Sequence, residues 1–326
     1  MSSIRAAMLA ALLVIAPSVF SSPAFAHCFV GARFFPAMLA TDDPCVADEL
    51  SLPTISAFNT GDDQPSNVVT IAGELSKRIT PTFGVSVGST WTQITPPGQP
   101  SVAGFQNLET TFKWQFGTIP DREFVISAGI GIEWGGTGSQ AVGAETFNTY
   151  VPTVWFGKGF GDLPDSLKWL RPFAVTGQVG YAIPGISTVV TIDPDSGDTN
   201  TQTNPQALRW GASLQYSMPY LKSNVVDLGI SDFFNRMIFI VEASMQTPLA
   251  NAQDSGILTT GTINPGIIWI GRYYQFGVEA VVPVNRVSGA DVGIIAQVHI
   301  YLDDIFPRSI GKPLFGGSGM ARRMGY

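Results

Sequence analysis

Charge is scarce in this chain. Only 13% of its 326 residues are Asp, Glu, Lys or Arg, about half the ~25% usual for soluble domains. The apolar share, 45%, is ordinary, so small and uncharged polar residues have replaced the missing charge. No basic cluster is present, and 18 Lys and Arg stand against 25 Asp and Glu for a net charge of −7. That excludes a nucleic-acid partner, because phosphate binding needs a basic footprint. Histidine and cysteine occur twice each. A four-cysteine zinc centre is impossible, and a centre of two cysteines and two histidines would consume the whole supply. No cofactor or metal is expected. After residue 26 no stretch reaches 18 consecutive apolar residues, which excludes a membrane-crossing helix. Gly (35) and Pro (23) are too frequent for a helical bundle.

The first 26 residues read as an export signal rather than as part of the fold. Arg5 precedes an apolar run from Ala6 to Phe20, and Ser21-Ser22-Pro23 and Ala24-Phe25-Ala26 follow. The run is shorter than the ~20 residues a spanning helix needs, and a lipoprotein anchor is disfavoured because His27 precedes Cys28. The expected mature chain starts at His27. Export permits disulfides, and the only two cysteines, Cys28 and Cys45, lie close together near that start. A bridge between them is favoured over two free thiols and would contribute roughly 3 kcal/mol through loop closure.

The dominant pattern is alternation of period two. Phe124-Ile126-Ala128-Ile130-Ile132-Trp134 interleaves with Ser127, Gly129, Gly131 and Glu133, and Leu208-Trp210-Ala212-Leu214-Tyr216-Met218 with Arg209, Gly211, Ser213, Gln215 and Ser217. A strand sends the two sets to opposite faces. The alternating runs exceed the ~5–6 residues of an ordinary strand and match the ~9–11 of a tilted strand crossing a bilayer. Twelve segments are expected, near 50–59, 67–79, 82–94, 105–117, 123–134, 147–160, 171–184, 207–219, 236–248, 260–271, 273–284 and 291–302. Pro53 weakens the first. The sixth has ambiguous phase, because Val151 and Trp155 compete with Pro152, Val154 and Phe156.

The connections alternate too. Thr80-Pro81, Thr118–Arg122 and Arg272 are short, whereas Gly61–Ser66, Thr95–Gly104, Gly135–Thr146, Gly185–Gln206 and Leu249–Thr259 are long and polar. Short turns on one side and long loops on the other mark an outer-membrane barrel. Gly161–Leu170 and Tyr220–Asn235 depart from this and read as short helices or packed turns. Trp91, Trp114, Trp134, Trp210, Trp269, Tyr181, Tyr216 and Tyr274 lie on the apolar phase, as interfacial rings do. The expected fold class is therefore all-β: an antiparallel transmembrane β-barrel of about twelve strands, closed because lipid cannot satisfy an open sheet edge.

The opposite phase carries the candidate lumen residues Glu74, Arg78, Glu109, Lys113, Glu133, Arg209, Glu242, Glu279 and His299, together with Asn107, Gln178, Gln297 and other polar residues. Rings of charge bias ion passage, and five Glu against three cations imply a mild preference for cations. The alternative is that these charges pair across the interior and plug it. Catalytic constellations are thin. His299 could meet a lumenal serine, but a lipid-hydrolysing enzyme would need it on the lipid face. His27 could bind copper with His299. The glycines of Glu133–Glu145 are not followed by a helix, as a dinucleotide site requires. Asp193–Asn200 lacks the calcium-loop spacing, and Arg322-Arg323 is too short a basic tail for a binding site.

The runs GKGFGDLPDSLKWLRPFAVTGQVGYAIP, FQNLETTFKWQF and NPGIIWIGRYYQFGVEAVVPVN resemble those of uncharacterised Gram-negative outer-membrane barrels and, more loosely, of outer-membrane transporters associated with phenol degradation. The resemblance covers roughly residues 45–305. It implies passage of a small solute and supplies no catalytic residues. The chain departs from it at the end, where a Gly- and Pro-containing tail follows the last strand.

The expected organisation is a signal peptide (1–26), a periplasmic or plug segment (27–49), the barrel (50–304) and a tail (305–326). The expected function is a channel or transporter in the cell outer membrane, without enzymatic activity. Its expected partners are membrane lipid, an unidentified small solute and, in an oligomer, further copies of itself. The alternatives are a structural or adhesive barrel acting through its loops, and an outer-membrane lipid-modifying enzyme.

Overall fold

The computed structural model describes residues 27–61, 63–192, 199–251 and 258–316. The expected signal segment, most of Asp193–Asn200 and the basic tail lie outside the described residues.

Twelve antiparallel strands close on themselves. In chain order they are β3 (Glu49–Asn59), β4 (Asn67–Thr80), β5 (Phe83–Thr95), β7 (Leu108–Ile119), β8 (Phe124–Trp134), β9 (Thr149–Gly159), β10 (Phe173–Pro184), β13 (Gln206–Ser217), β14 (Met237–Ala250), β15 (Thr260–Ile270), β16 (Tyr274–Pro283) and β17 (Gly293–Tyr301). Each pairs with its neighbour in sequence, and β17 pairs with β3 to seal the barrel. Short elements complete the order: β1 (Phe29–Val30) and β2 (Arg33–Phe34) before the barrel, β6 (Val102–Phe105) on the far end of β5, and the hairpin β11 (Thr188–Ile192) with β12 (Thr199–Thr203) in the longest loop.

The faces follow the alternation. Ile71, Leu75, Trp114, Phe116, Ile130, Val154, Trp210, Leu214, Phe276 and Val278 are exposed on the outer face. Their polar neighbours point inward. Pro53 fits into β3 at an irregularity of register between Ser51 and Thr54. On the sixth segment, Val151 and Trp155 turn inward and are buried, while Val154 and Phe156 face out.

The fourth segment is split in two. Gln106 and Asn107 interrupt it, and their side chains bind the loop after β8: Gln106 Nε2 donates to Val142 O (2.8 Å), Asn107 Nδ2 donates to Glu145 O (2.8 Å), and Asn107 Oδ1 accepts from Gly138 N (2.9 Å). Asn107 is thus a loop clamp rather than a lumen-lining residue. The glycine-rich stretch that it holds contains only a three-residue 3-10 turn, Gln140–Val142.

At the short-turn end, Asp165–Leu170 forms a 3-10 turn, and Met218–Asn224 and Asp232–Asn235 form short helices. Trp169, Phe233 and Phe234 are exposed there, with Phe233 stacked 6.4 Å from Trp269. The tail after Tyr301 folds back on β4, with Leu314 N donating to Arg78 O and Phe315 N to Ile79 O (3.2 and 2.9 Å).

Candidate functional site

Residues 27–48 enter the lumen from the short-turn end and fill much of it. Cys28 and Cys45 are joined by a disulfide and pack with Val30, Phe35, Val125 and Ala174. A second apolar cluster joins Phe34, Met38 and Leu39 of this plug to Ile238, Ile240, Ile268, Ile270 and Tyr301 of the wall. Glycines make the room. A Cβ on Gly157 would stand 2.9 Å from the Pro44 ring and 3.1 Å from the Phe35 ring, and one on Gly277 would stand 2.5 Å from Leu39. Backbone and side chain can approach this closely only where the wall residue has no side chain.

Polar contacts hold the plug. Glu242, fully buried, accepts from the N–H groups of Leu39 (2.8 Å), Ala40 (3.2 Å) and Thr41 (2.7 Å) and from the Thr41 hydroxyl (2.7 Å). Gln275 Nε2 donates to Ala37 O (2.5 Å), and Gln178 Oε1 accepts from Asp42 N (3.0 Å). Arg33 donates to Glu123 (3.1 Å) and lies 3.8 Å from the Tyr220 ring centre. Asp48 receives Arg78 Nε (2.7 Å) and Lys77 Nζ (2.5 Å). His27 closes the entrance: Nδ1 lies 3.0 Å from Asp303 and Nε2 2.7 Å from Asp304. Burial alone would lower the His27 pKa, but hydrogen bonds and charge from Asp303 and Asp304 outweigh it and raise it to about 9. Burial opposes the charged form of Asp303 as well, yet His27 and Arg78 hold its carboxyl below the usual range.

The plug leaves a chamber of about 350 Å³ between its Ala37–Ala47 stretch and the wall of β3, β4, β5, β7 and β17. Asp42, Asp43, Glu49, Glu74 and Glu109 line it, against Lys77, Lys113 and His299. The three basic groups are engaged: Lys113 with Asp42 (2.7 Å), Lys77 with Asp48, and His299 Nε2 with Glu49 (2.5 Å) while Nδ1 contacts Ser51 Oγ (2.7 Å). No ion pair within 4 Å reaches Glu74 or Glu109 among the described residues. These two carboxylates flank Gly88, which pairs with Glu74 on one side and Glu109 on the other.

The register extends the row. His299 pairs with Ser51, Ser51 with Glu74, Glu74 with Gly88, Gly88 with Glu109 and Glu109 with Glu133. Strand tilt carries this row from the short-turn end of β17 to the loop end of β8, where Glu133 meets Arg209 (2.5 Å). The acid-lined wall therefore climbs the lumen.

All nine sequence-selected lumen residues lie on the inner face, but they separate into two groups. Glu74, Glu109, Glu133, Lys113, Arg209 and His299 belong to the climbing wall. Arg78 and Glu242 hold the plug, and Glu279 is buried beside Glu242. The two histidines both pack on Tyr301, at 4.0 and 5.6 Å, and each is held by its own carboxylates. The geometry does not converge them on one copper ion. Sequence reasoning missed Asp42, Asp43, Asp48 and Glu49, which carry no periodic signal, and Trp155, whose ring lies 4.7 Å from Lys113 Nζ.

No family model and no curated protein matches the chain. Among solved structures it is similar to the KdgM porin (11% identity, TM-score 0.43, covering 77% of this chain and 98% of that one). It is also similar to the NanC porin (9%, 0.45, 76% and 98%) and to an outer-membrane channel from Pseudomonas putida F1 (12%, 0.47, 82% and 99%). The sheet of twelve antiparallel strands, closed by β17 on β3 and apolar on its outer face, is a β-barrel fold.

Proposed function

We propose that this barrel is an outer-membrane channel that passes a small solute, preferring cations, along the wall of β3 to β8 while the plug occupies the opposite side. The observation that carries this reading is the chamber of about 350 Å³ with Glu74 and Glu109 facing it and every basic lining group already paired. Unpaired carboxylates in a narrow polar space attract cations and repel anions. A cationic solute suits this lining better than a phenolic one, because no tryptophan, tyrosine or phenylalanine among the described residues lines the chamber.

Planar-bilayer recordings test the reading. Discrete conductance is expected, with a reversal potential under a salt gradient that reports cation selectivity. E74Q and E109Q together should reduce that selectivity without abolishing conductance. Absence of any conductance from folded protein, or anion selectivity, overturns the reading.

A further inference from the structure

β14, β15 and β16 bring three oxygen-bearing side chains together behind the plug. Glu242 pairs with Asn264 across the sheet, and Gly266, the next inward position on β15, pairs with Glu279. The Cγ of Glu279 fills the space that a Cβ on Gly266 would take. The Glu279 carboxyl thus leans over β15, within hydrogen-bonding reach of the Glu242 carboxyl and the Asn264 amide. All three residues are buried, with exposures of 0% for Glu242, 2% for Asn264 and 1% for Glu279.

Two carboxylates in contact and out of water repel each other strongly unless something neutralises them. The charged group facing Glu279 is Glu242, and among the described residues no basic side chain pairs with it. Lys113 and Arg209 are engaged elsewhere, with Asp42 and Glu133.

Counting acceptors narrows the choice. Glu242 Oε2 takes three donors from the plug, but Oε1 takes only one and keeps a lone pair. Among the described residues no donor is aligned on either oxygen of Glu279 or on Oδ1 of Asn264, although the Asn264 amide lies beside Glu279. A shared proton would join Glu242 Oε1 to one Glu279 oxygen and bring nothing to Asn264 Oδ1. A cation engages all of them at once. Carboxylate and amide oxygens are the ligands of hard divalent ions, and calcium tolerates irregular oxygen sets.

We propose that Glu242, Glu279 and Asn264 form a buried site for a calcium-type divalent cation. Its ligands are Glu242 Oε1, both Glu279 oxygens and Asn264 Oδ1. The ion cancels the paired charges and, through Glu242, couples the β14–β16 wall to the plug turn at Leu39–Thr41. The site stands apart from the acid-lined passage and does not depend on conduction.

The test uses the folded full-length protein in detergent. It is equilibrated with calcium chloride, freed of excess by gel filtration, and assayed for bound metal by mass spectrometry. Its unfolding is then followed with calcium or with EDTA. One calcium per chain is expected, with a clear rise in the unfolding midpoint in calcium. Both should be lost in E279Q and in the milder N264A, and kept in E74Q. Wild-type protein that retains no stoichiometric metal and unfolds identically in calcium and EDTA overturns the proposal. An E279Q protein as stable as wild type under those conditions also overturns it, and assigns the pair a shared proton. Should E279Q fail to fold, N264A alone decides the matter, because it leaves both carboxylates in place.

Discussion

His27→Gln removes the charge from the plug entrance and keeps a side chain of similar reach. The imidazole touches Asp303 and Asp304 at 3.0 and 2.7 Å with about 2% of its surface exposed, so solvent screens the pair little. Its pKa rises from the ordinary 6.5 to about 9 on folding. A group whose pKa is raised in the folded state stabilises fully below its unfolded value and loses that contribution as pH climbs through the folded value. The shift corresponds to about 3 kcal/mol. Wild-type protein should therefore exceed H27Q in stability by that order at pH ~6, with the difference vanishing by pH ~10. Asp303 does not disturb this window, because its lowered pKa confines its loss to acid. The α-amine that cleavage before His27 would expose is common to both proteins and cancels in the difference. Guanidinium unfolding in detergent micelles, followed by tryptophan fluorescence at several pH values, reads the difference. A stability gap that is flat from pH ~6 to ~10, or that widens with rising pH, refutes the charged-latch argument.

Other perturbations address the plug directly. Glu242→Gln places an amide where four donors converge. It should cost about 3 kcal/mol at that contact and speed amide exchange of Leu39–Thr41 by ~100-fold; unchanged exchange would show that the contact does not hold the plug. Gly157→Val drives a side chain into the Pro44 and Phe35 rings. A loss of about 1–3 kcal/mol and a larger conductance from a displaced plug are expected, whereas wild-type conductance and stability would contradict the packing. Replacing both Cys28 and Cys45 by Ser opens the bridge. It should lower stability by about 3 kcal/mol and raise proteolysis within residues 27–48, with the strands remaining protected; limited proteolysis and mass spectrometry check this.

The strands were legible because the barrel's outer face and its lumen carry opposite chemistries on alternate residues, and that contrast survives wherever the inner face is polar. It fades where the plug makes the inner face apolar as well. Ile238 and Ile240 on β14, Ile268 and Ile270 on β15 and Trp155 on β9 all point inward. They do so because Phe34, Met38 and Leu39 stand opposite or Lys113 lies against the ring. The ambiguous phase of the sixth segment had this cause. The plug itself was legible only as a bridged segment before the barrel. Two of its acids, Asp42 and Asp48, acquire roles from partners 29 to 71 residues away in sequence, and no local pattern announces such pairings. The break at Gln106 and Asn107 was hidden for a related reason. Asn107 fits the polar phase of the alternation, but its amide and that of Gln106 find the loop after β8 instead.

These observations divide the lumen into two halves with separate tasks. On β14 to β16 the wall offers isoleucines, Gln275 and Glu242, and each meets the plug. On β3 to β7 it offers Glu74, Gly88 and Glu109, facing Asp42 and Asp43 of the plug across the chamber, and holds the plug at Asp42, Val46 and Asp48 through Lys113, Gln115, Lys77 and Arg78. The segment thus seats its apolar side on the apolar wall and leaves like charges facing each other across the chamber, bridged by Lys113. Repulsion between carboxylates disfavours collapse of that space and keeps it hydrated. Substitutions on the two halves should therefore have separable effects. Neutralising Glu74 and Glu109 should change selectivity with little change in the exchange of plug amides, and weakening Glu242 should change plug exchange first. If E74Q and E109Q released the plug as readily as E242Q, the lumen would be one cooperative network and the division would fail.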